Sequence, residues 1–261
     1  MLFPIPQKCS ATVISVTHLD GAVYNIRFQM TDPNNFSFIA GQHGSFIIEQ
    51  TIRRNYSFAS VPLEIPYLET CVDATPMGPG STWLMSLKKG DQIALLAPLG
   101  RFVVDKESPQ KKVFVATGTG ISAVRSMILD CLSDKQRVLP RVFPHEYPQG
   151  DPFAGDPRPA SPAMVSLYWG VRHEENMFWD QQFETLSKVH PNFLFIRIVS
   201  QPTGTWQGRV GRVTDFVTKE EANFTQSEFY LCGNREMIYD MRKQLVEKSV
   251  PEEQIKSELF Y

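Results

Sequence analysis

The residues of this chain whose types and spacing could do chemistry fall in a few short stretches. Thr117-Gly118-Thr119-Gly120-Ile121-Ser122-Ala123 follows the apolar run Val113-Phe114-Val115-Ala116 and opens an amphipathic pattern. That order predicts a strand, a glycine turn and a helix, whose backbone N–H groups and positive end point at phosphate, so a dinucleotide is the expected ligand. Behind the turn, Ala123, Val124, Met127, Ile128, Cys131 and Leu132 recur at helical spacing, which predicts one face packed on a sheet.

The second stretch, Arg54-Asn55-Tyr56-Ser57-Phe58-Ala59-Ser60, lies in a β-patterned region well before the glycine turn. An arginine beside a tyrosine and a serine offers a bidentate grip for pyrophosphate, a flat apolar face for an aromatic ring and a hydroxyl for a ring nitrogen, a set that suits a flavin. Further on, Gly78-Pro79-Gly80-Ser81-Thr82-Trp83-Leu84 reads as a loop followed by an apolar helical turn, able to hold another part of a pyrophosphate or ribityl chain.

These stretches need elements to position them. Residues about 8 to 104 read as β, with Ala11–Thr17, Tyr24–Phe28, Gly44–Ile48 and Gln92–Leu96 as short apolar or alternating runs between turn residues. A polar, proline-broken hinge at Asp105–Lys112 follows, which divides the chain into domains at 1–108 and 109–261. Beyond it strands alternate with helices: Val113–Ala116, Val165–Gly170, Phe193–Val199 and Glu228–Cys232 as strands, and helices opening near Ile121, Trp179, Val213 and Arg235. The stretch from Ser133 to Ala163 is so rich in proline that it reads as an inserted surface loop, either plainly solvated or a docking element for a redox partner.

In an open α/β sheet the ligand sits outside the carboxyl ends of the strands, and Gly118, Arg172, Ser200-Gln201 and Cys232-Gly233 all fall at such ends. The acidic residue expected about twenty positions after an ordinary dinucleotide turn is absent, its place being taken by Lys135-Gln136-Arg137.

Composition excludes several classes. A hydrophobic fraction of 42% with 21% charged residues describes a globular chain able to bury a core, and a net charge of −2 gives no support to nucleic-acid binding or a polybasic membrane anchor. No apolar run approaches membrane-spanning length and the N-terminus has no leader pattern, so a cytoplasmic protein without a membrane span is expected. The four cysteines and five histidines are scattered, which leaves no metal site in the reading.

Taken in order and spacing, Arg54-x-Tyr56-Ser57, Gly78-Pro79-Gly80-Ser81, Thr117-Gly118-Thr119-Gly120-Ile121-Ser122, Tyr168-Trp169-Gly170-Val171-Arg172 and Cys232-Gly233-Asn234-x-x-Met237 resemble the ferredoxin–NADP reductase superfamily of FAD-dependent pyridine-nucleotide oxidoreductases. The resemblance spans essentially the whole chain. It implies two domains, an N-terminal antiparallel β-barrel for the flavin and a C-terminal α/β doubly wound parallel sheet for the pyridine nucleotide. It further implies an enzyme in which NADH or NADPH gives a hydride to bound FAD, and electrons pass to a separate acceptor such as ferredoxin or an oxygenase component. Many relatives carry a fused iron–sulfur domain; isolated cysteines here imply a member without one.

Residue by residue, the resemblance implies Tyr56 against the isoalloxazine, Ser57 near its N5, Arg54 on the pyrophosphate and Gly80, Ser81 and Thr82 capping it. Thr117, Gly118, Thr119 and Gly120 would cradle the pyridine nucleotide, with Arg172, Gln201 and Gly233 at the neighbouring strand ends. Cys232 resembles the family cysteine beside the hydride path. The chain ends Glu258-Leu259-Phe260-Tyr261, similar to plant-type reductases in which a terminal tyrosine stacks on the flavin behind a glutamate. Here the acid lies one residue further from the tyrosine, which leaves either Phe260 or Tyr261 as the stacking ring and puts the role of Glu258 in question. NADP-using members often place an arginine after the serine at the third strand end, whereas this chain has Ser200-Gln201-Pro202, which favours NADH and leaves Arg172, Arg209 and Arg212 as the residues able to grip a 2′-phosphate. Two other readings stay open: a flavin reductase that uses flavin as a substrate, and a non-enzymatic binding scaffold.

Overall fold

A computed structural model describes residues 2–49, 52–75, 77–133 and 163–259. The proline-rich stretch therefore lies almost wholly outside the described residues, as do Phe260 and Tyr261. The chain forms two compact units: Met1–Val104 with Thr119–Asp130, and Asp105–Gly118 with Cys131–Tyr261.

The first unit is a six-stranded antiparallel sheet of β1 (Gln7–Asp20), β2 (Val23–Asp32), β3 (His43–Ile47), β4 (Arg53–Ser57), β5 (Tyr67–Asp73) and β6 (Gln92–Leu99), in the order β4-β3-β6-β1-β2-β5. Alternation drives it: Cys9, Ala11 and Val13 on β1 and Ile26, Phe28 and Met30 on β2 point inward, with more exposed residues between them. The hairpin between these strands turns at Gly21, whose φ of +50 suits glycine. Phe28 and Phe46 meet edge to face at 5.6 Å in the core. The expected barrel does not close through a full ladder; just after β4, Phe58 makes a single bridge to Thr70 of β5, the other edge strand. Helix α1 (Pro79–Ser86) buries Leu84 on this core.

Helix α2 (Ile121–Leu132) belongs mostly to this unit and departs from the single buried face read from its sequence. Every residue from Ile121 to Leu129 is buried, whereas Cys131 and Leu132 are only half-buried. The second buried stripe is Ser122, Arg125, Ser126 and Leu129, at helical spacing.

The second unit is a six-stranded parallel sheet of β7 (Lys111–Thr117), β8 (Val165–Val171), β9 (Phe193–Val199), β10 (Arg209–Val210), β11 (Ser227–Gly233) and β12 (Ile255–Leu259), in the order β10-β9-β8-β7-β11-β12. Strands β8 and β11 are buried along their whole length, as central parallel strands must be. Helices α3 (Asp180–Val189), α4 (Val213–Glu220) and α5 (Arg235–Glu247) connect them, and Val217, Met241 and Leu245 pack among Val113, Ile198 and Leu231. Asn234 caps α5 by accepting a hydrogen bond from the Glu236 amide at 2.7 Å. The C-terminal segment, read from sequence without a strand, forms β12 beside β11. No helix among the described residues is long and apolar enough to cross a membrane.

Candidate functional site

In the first unit, β4 and the start of α1 converge. Arg54 is exposed, Tyr56 half-buried and Ser57 buried along β4, where they stand opposite Phe46, Gly44 and His43 of β3. The Tyr56 ring packs edge-on against Phe46 at 5.6 Å. Burial pushes its phenol up to about 12, against the opposing pull of Arg54, so the hydroxyl stays protonated. The Ser57 carbonyl accepts from the Thr70 hydroxyl at 3.0 Å, which ties the end of β4 to β5.

Gly80 is the hinge of this arrangement. A side-chain carbon built there would run into the Tyr56 hydroxyl and come within 2.7 Å of Arg54 Cγ, so only glycine lets α1 lie against these two residues. Gly78 opens α1 and supplies no side-chain cap, which leaves its first-turn N–H groups to other acceptors. Ser81 donates its hydroxyl to the Gly78 carbonyl at 3.0 Å, and the Thr82 hydroxyl reaches Met77 O at 3.4 Å. The Arg54 stem lies against Gly80 while its guanidinium donates to the Arg53 carbonyl at 2.8 Å; a cation turned from there toward an uncapped helix start can bind an anion. Arg54 and Tyr56 on β4 are therefore brought together with Gly80, which lies more than twenty residues later in the sequence.

In the second unit, the strand order reverses between β7 and β11, which makes their carboxyl ends the topological switch point. Thr117 ends β7 and Gly233 ends β11, and the two press together. Gly233 has φ +134, and a side-chain carbon there would collide with the Thr117 hydroxyl and lie 2.7 Å from its carbonyl oxygen. The Asn234 amide donates to the Thr117 hydroxyl at 2.9 Å. Gly118 is exposed with φ +53, and its carbonyl accepts from the Trp169 indole at 3.3 Å. Thr119 is half-buried and Gly120 buried at the start of α2.

The neighbouring strand ends are laced together. Gln201 N donates to the Arg172 carbonyl at 2.8 Å, Ser200 N to Val171 O at 3.0 Å, and His173 Nδ1 lies 2.6 Å from the Gln201 carbonyl. Arg172 is exposed beside them. Cys232 is fully buried, paired with Ala116 on one side and Glu258 on the other. Burial first, and the Glu258 carboxylate second, raise its thiol pKa well above the ordinary value, so the sulfur is a neutral packing group rather than a thiolate. Glu258 is half-buried on β12.

Sequence reasoning did not single out Glu174, Thr203 or Arg125. Arg125 and Ser126 carried a signal, being polar residues inside an otherwise apolar helix; the contacts of Glu174 with Thr203 join two loops and leave no trace in local pattern.

The first unit's residues 10–104 match the family described as oxidoreductase FAD-binding domain, and residues 114–243 match the oxidoreductase NAD-binding domain. The chain belongs to the ferredoxin–NADP reductase superfamily. It is 30% identical over 261 residues to the phenol hydroxylase P5 protein of Acinetobacter pittii, covering 97% of this chain and 66% of that protein. It is 27% identical over 248 residues to the anthranilate 1,2-dioxygenase electron transfer component of Acinetobacter baylyi, covering 94% of this chain and 62% of that one. The chain thus spans about two thirds of the length of these relatives. The fold is shared with a ferredoxin NADP+ reductase from Neisseria gonorrhoeae solved with FAD and NADP, at TM-score 0.76 and 18% identity over 97% of this chain and 99% of that one.

Reductases of this superfamily use FAD and a pyridine nucleotide, and the residues present fit both. The uncapped start of α1, packed through Gly80 against Arg54 and Tyr56, suits a flavin pyrophosphate. Exposed Gly118, where a side-chain carbon would meet nothing within 4 Å, leaves open backbone at the switch point that a nucleotide could approach.

Proposed function

We propose that this reductase takes a hydride from NADH at bound FAD and passes the electrons to a separate protein, an oxygenase component or a ferredoxin. The packing of Gly80 on Arg54 and Tyr56 carries this reading, because it sets a cation, a ring and an uncapped helix start next to one another. Bound FAD supplies the exchange between two-electron and one-electron transfer. The chain's own residues bind and orient: Arg54 with the α1 start on the pyrophosphate, Tyr56 on the ring and Ser57 near N5. Thr117, Gly118, Thr119 and Gly120 would hold the nucleotide diphosphate, with Arg172, Gln201 and Gly233 around it. Buried, neutral Cys232 supplies shape rather than reactivity, and Glu258 with Phe260 or Tyr261 would take the role of the acid and terminal ring of plant-type reductases.

Residues 1–108 would serve as the flavin domain and 109–261 as the nucleotide domain. The names of the two Acinetobacter relatives support an oxygenase-linked acceptor. Cytoplasmic placement is supported by four thiols, none of them in a disulfide. NADH is favoured over NADPH because neutral Gln201 follows Ser200 at the end of β9.

Stopped-flow mixing of the purified protein with NADH and with NADPH, recording bleaching of bound flavin, tests the hydride-transfer half of this reading, and reoxidation by an added ferredoxin tests the other half. A larger second-order rate constant with NADH is the expected result. A tenfold advantage for NADPH would reverse the donor assignment, and flavin lost on desalting would favour flavin as a substrate.

A further inference from the structure

Glu174 opens the turn after β8, two residues beyond Arg172, and its carboxylate draws in the loop that follows β9. The Thr203 amide donates to Glu174 Oε2 at 3.0 Å, the Thr203 hydroxyl donates to Oε1, and the Thr205 hydroxyl reaches the same oxygen at 3.4 Å. These donors pull the carboxyl down to about 2, so it carries its charge at every working pH. The same loop is held from its other end by His173 on the Gln201 carbonyl. The result is a fixed negative charge at the carboxyl edge of β8 and β9.

The cations nearby in sequence are already spent on acids. Arg209 makes a forked pair with Glu220, at 2.6 Å and 3.0 Å, and Arg212 lies 3.4 Å from Asp240. Arg197 is shared between Asp180 and Glu184 at 3.0 Å and 2.9 Å. Exposed Arg172 is the cation closest in sequence to Glu174.

We propose that Glu174 is a specificity-determining residue that disfavours a phosphate on the adenosine 2′ oxygen, both by its charge and by fixing the loop from Gln201 to Thr205. This rests on the carboxyl edge of the second sheet being the nucleotide site. The chemistry is that of a dianion meeting a pinned carboxylate in partly screened solvent. Glu174→Gln keeps an acceptor for the Thr203 amide and a partner for its hydroxyl while removing the charge, so the loop stays pinned.

The test is calorimetric titration of the flavin-loaded protein and its Glu174→Gln variant with adenosine 5′-monophosphate and with its 2′-phosphorylated form, at low and at high salt. The variant should gain affinity for the 2′-phosphorylated probe by about two- to fivefold relative to the unphosphorylated one, a gain that shrinks as salt screens the charge. Flavin bleaching should follow, with the NADPH to NADH ratio of rate constants rising by a similar factor. Unchanged ratios in the variant, with adenosine monophosphate still bound, would overturn the role of Glu174. If the unaltered protein binds neither adenosine probe, the nucleotide reading itself falls.

Discussion

The guanidinium of Arg125 donates to the backbone carbonyl of Ala59 at 2.6 Å. One residue along on each side, the Ser126 hydroxyl donates to the Ser60 carbonyl at 2.6 Å. Helix α2 is thereby bonded to the backbone that leaves β4 only two residues after Ser57. Arg125 is 4% exposed and its second acceptor is Glu69, at 3.5 Å. Removing the guanidinium takes a charged donor from the buried Ala59 carbonyl, a contact worth about 1.5–3 kcal/mol. Arg125→Met should lower unfolding stability by that order in urea titrations, and Arg125→Lys by less. An unchanged midpoint would mean the helix is held by its apolar residues alone.

Flavin retention should depend on the packing of α1 against β4. Gly80→Ala pushes a methyl into Tyr56 and Arg54, and Arg54→Ala removes a charge-assisted contact of about 1.5–3 kcal/mol, or roughly ten- to a hundredfold in affinity. Both variants should purify with less flavin per polypeptide, read from the ratio of visible to ultraviolet absorbance. Full flavin content in Arg54→Ala would remove Arg54 from the site.

Nucleotide binding should fail separately. Gly233→Ala places a methyl against the Thr117 hydroxyl and asks alanine to adopt φ +134, a strain of about 1–3 kcal/mol. The variant should keep its flavin but need at least about tenfold more NADH for half-maximal bleaching. Normal NADH dependence would show that this close approach serves the sheet only.

Acid sensitivity should trace in part to Glu228. Burial alone would raise its pKa, but the Lys112 ammonium at 2.8 Å and the Tyr230 hydroxyl at 2.8 Å outweigh it and hold the carboxyl below its ordinary value. A lowered folded-state pKa contributes stability that is present above the unfolded value and lost as pH falls through the folded one. Unfolding titrations of Glu228→Gln should therefore show lower stability at neutral pH and a shallower decline below about pH 4.5, near the unfolded carboxyl. Parallel pH profiles for the two proteins would contradict the assignment.

The sequence made the centre of each sheet legible because burial there is continuous or strictly alternating. Phe193–Val199 matches β9, and Val213 and Arg235 open α4 and α5. β12 was hidden because only Ile255 of its residues is buried; backbone pairing with β11 holds it, and that leaves no apolar pattern. β5 was obscured by Glu69 and by Cys71 and Val72 being buried in succession, which breaks the alternation. Glycine turns and the Arg54 motif announced the candidate site because they need particular residue types. The meeting of Gly80 with Tyr56 did not, since a contact between distant segments is a property of the fold.

Thr119–Asp130 is drawn from the later part of the sequence yet completes the first unit. A fragment cut near Val104 would expose the carbonyls of Ala59 and Ser60 and the carboxylate of Glu69, along with the apolar surface that α2 covers. Such a fragment lacks autonomy, and its loss of stability should look like a missing core element rather than a trimmed tail. Exchange of halves between relatives has the same constraint: a working chimera must move the helix with the strands it completes, so the transferable module is discontinuous in the gene.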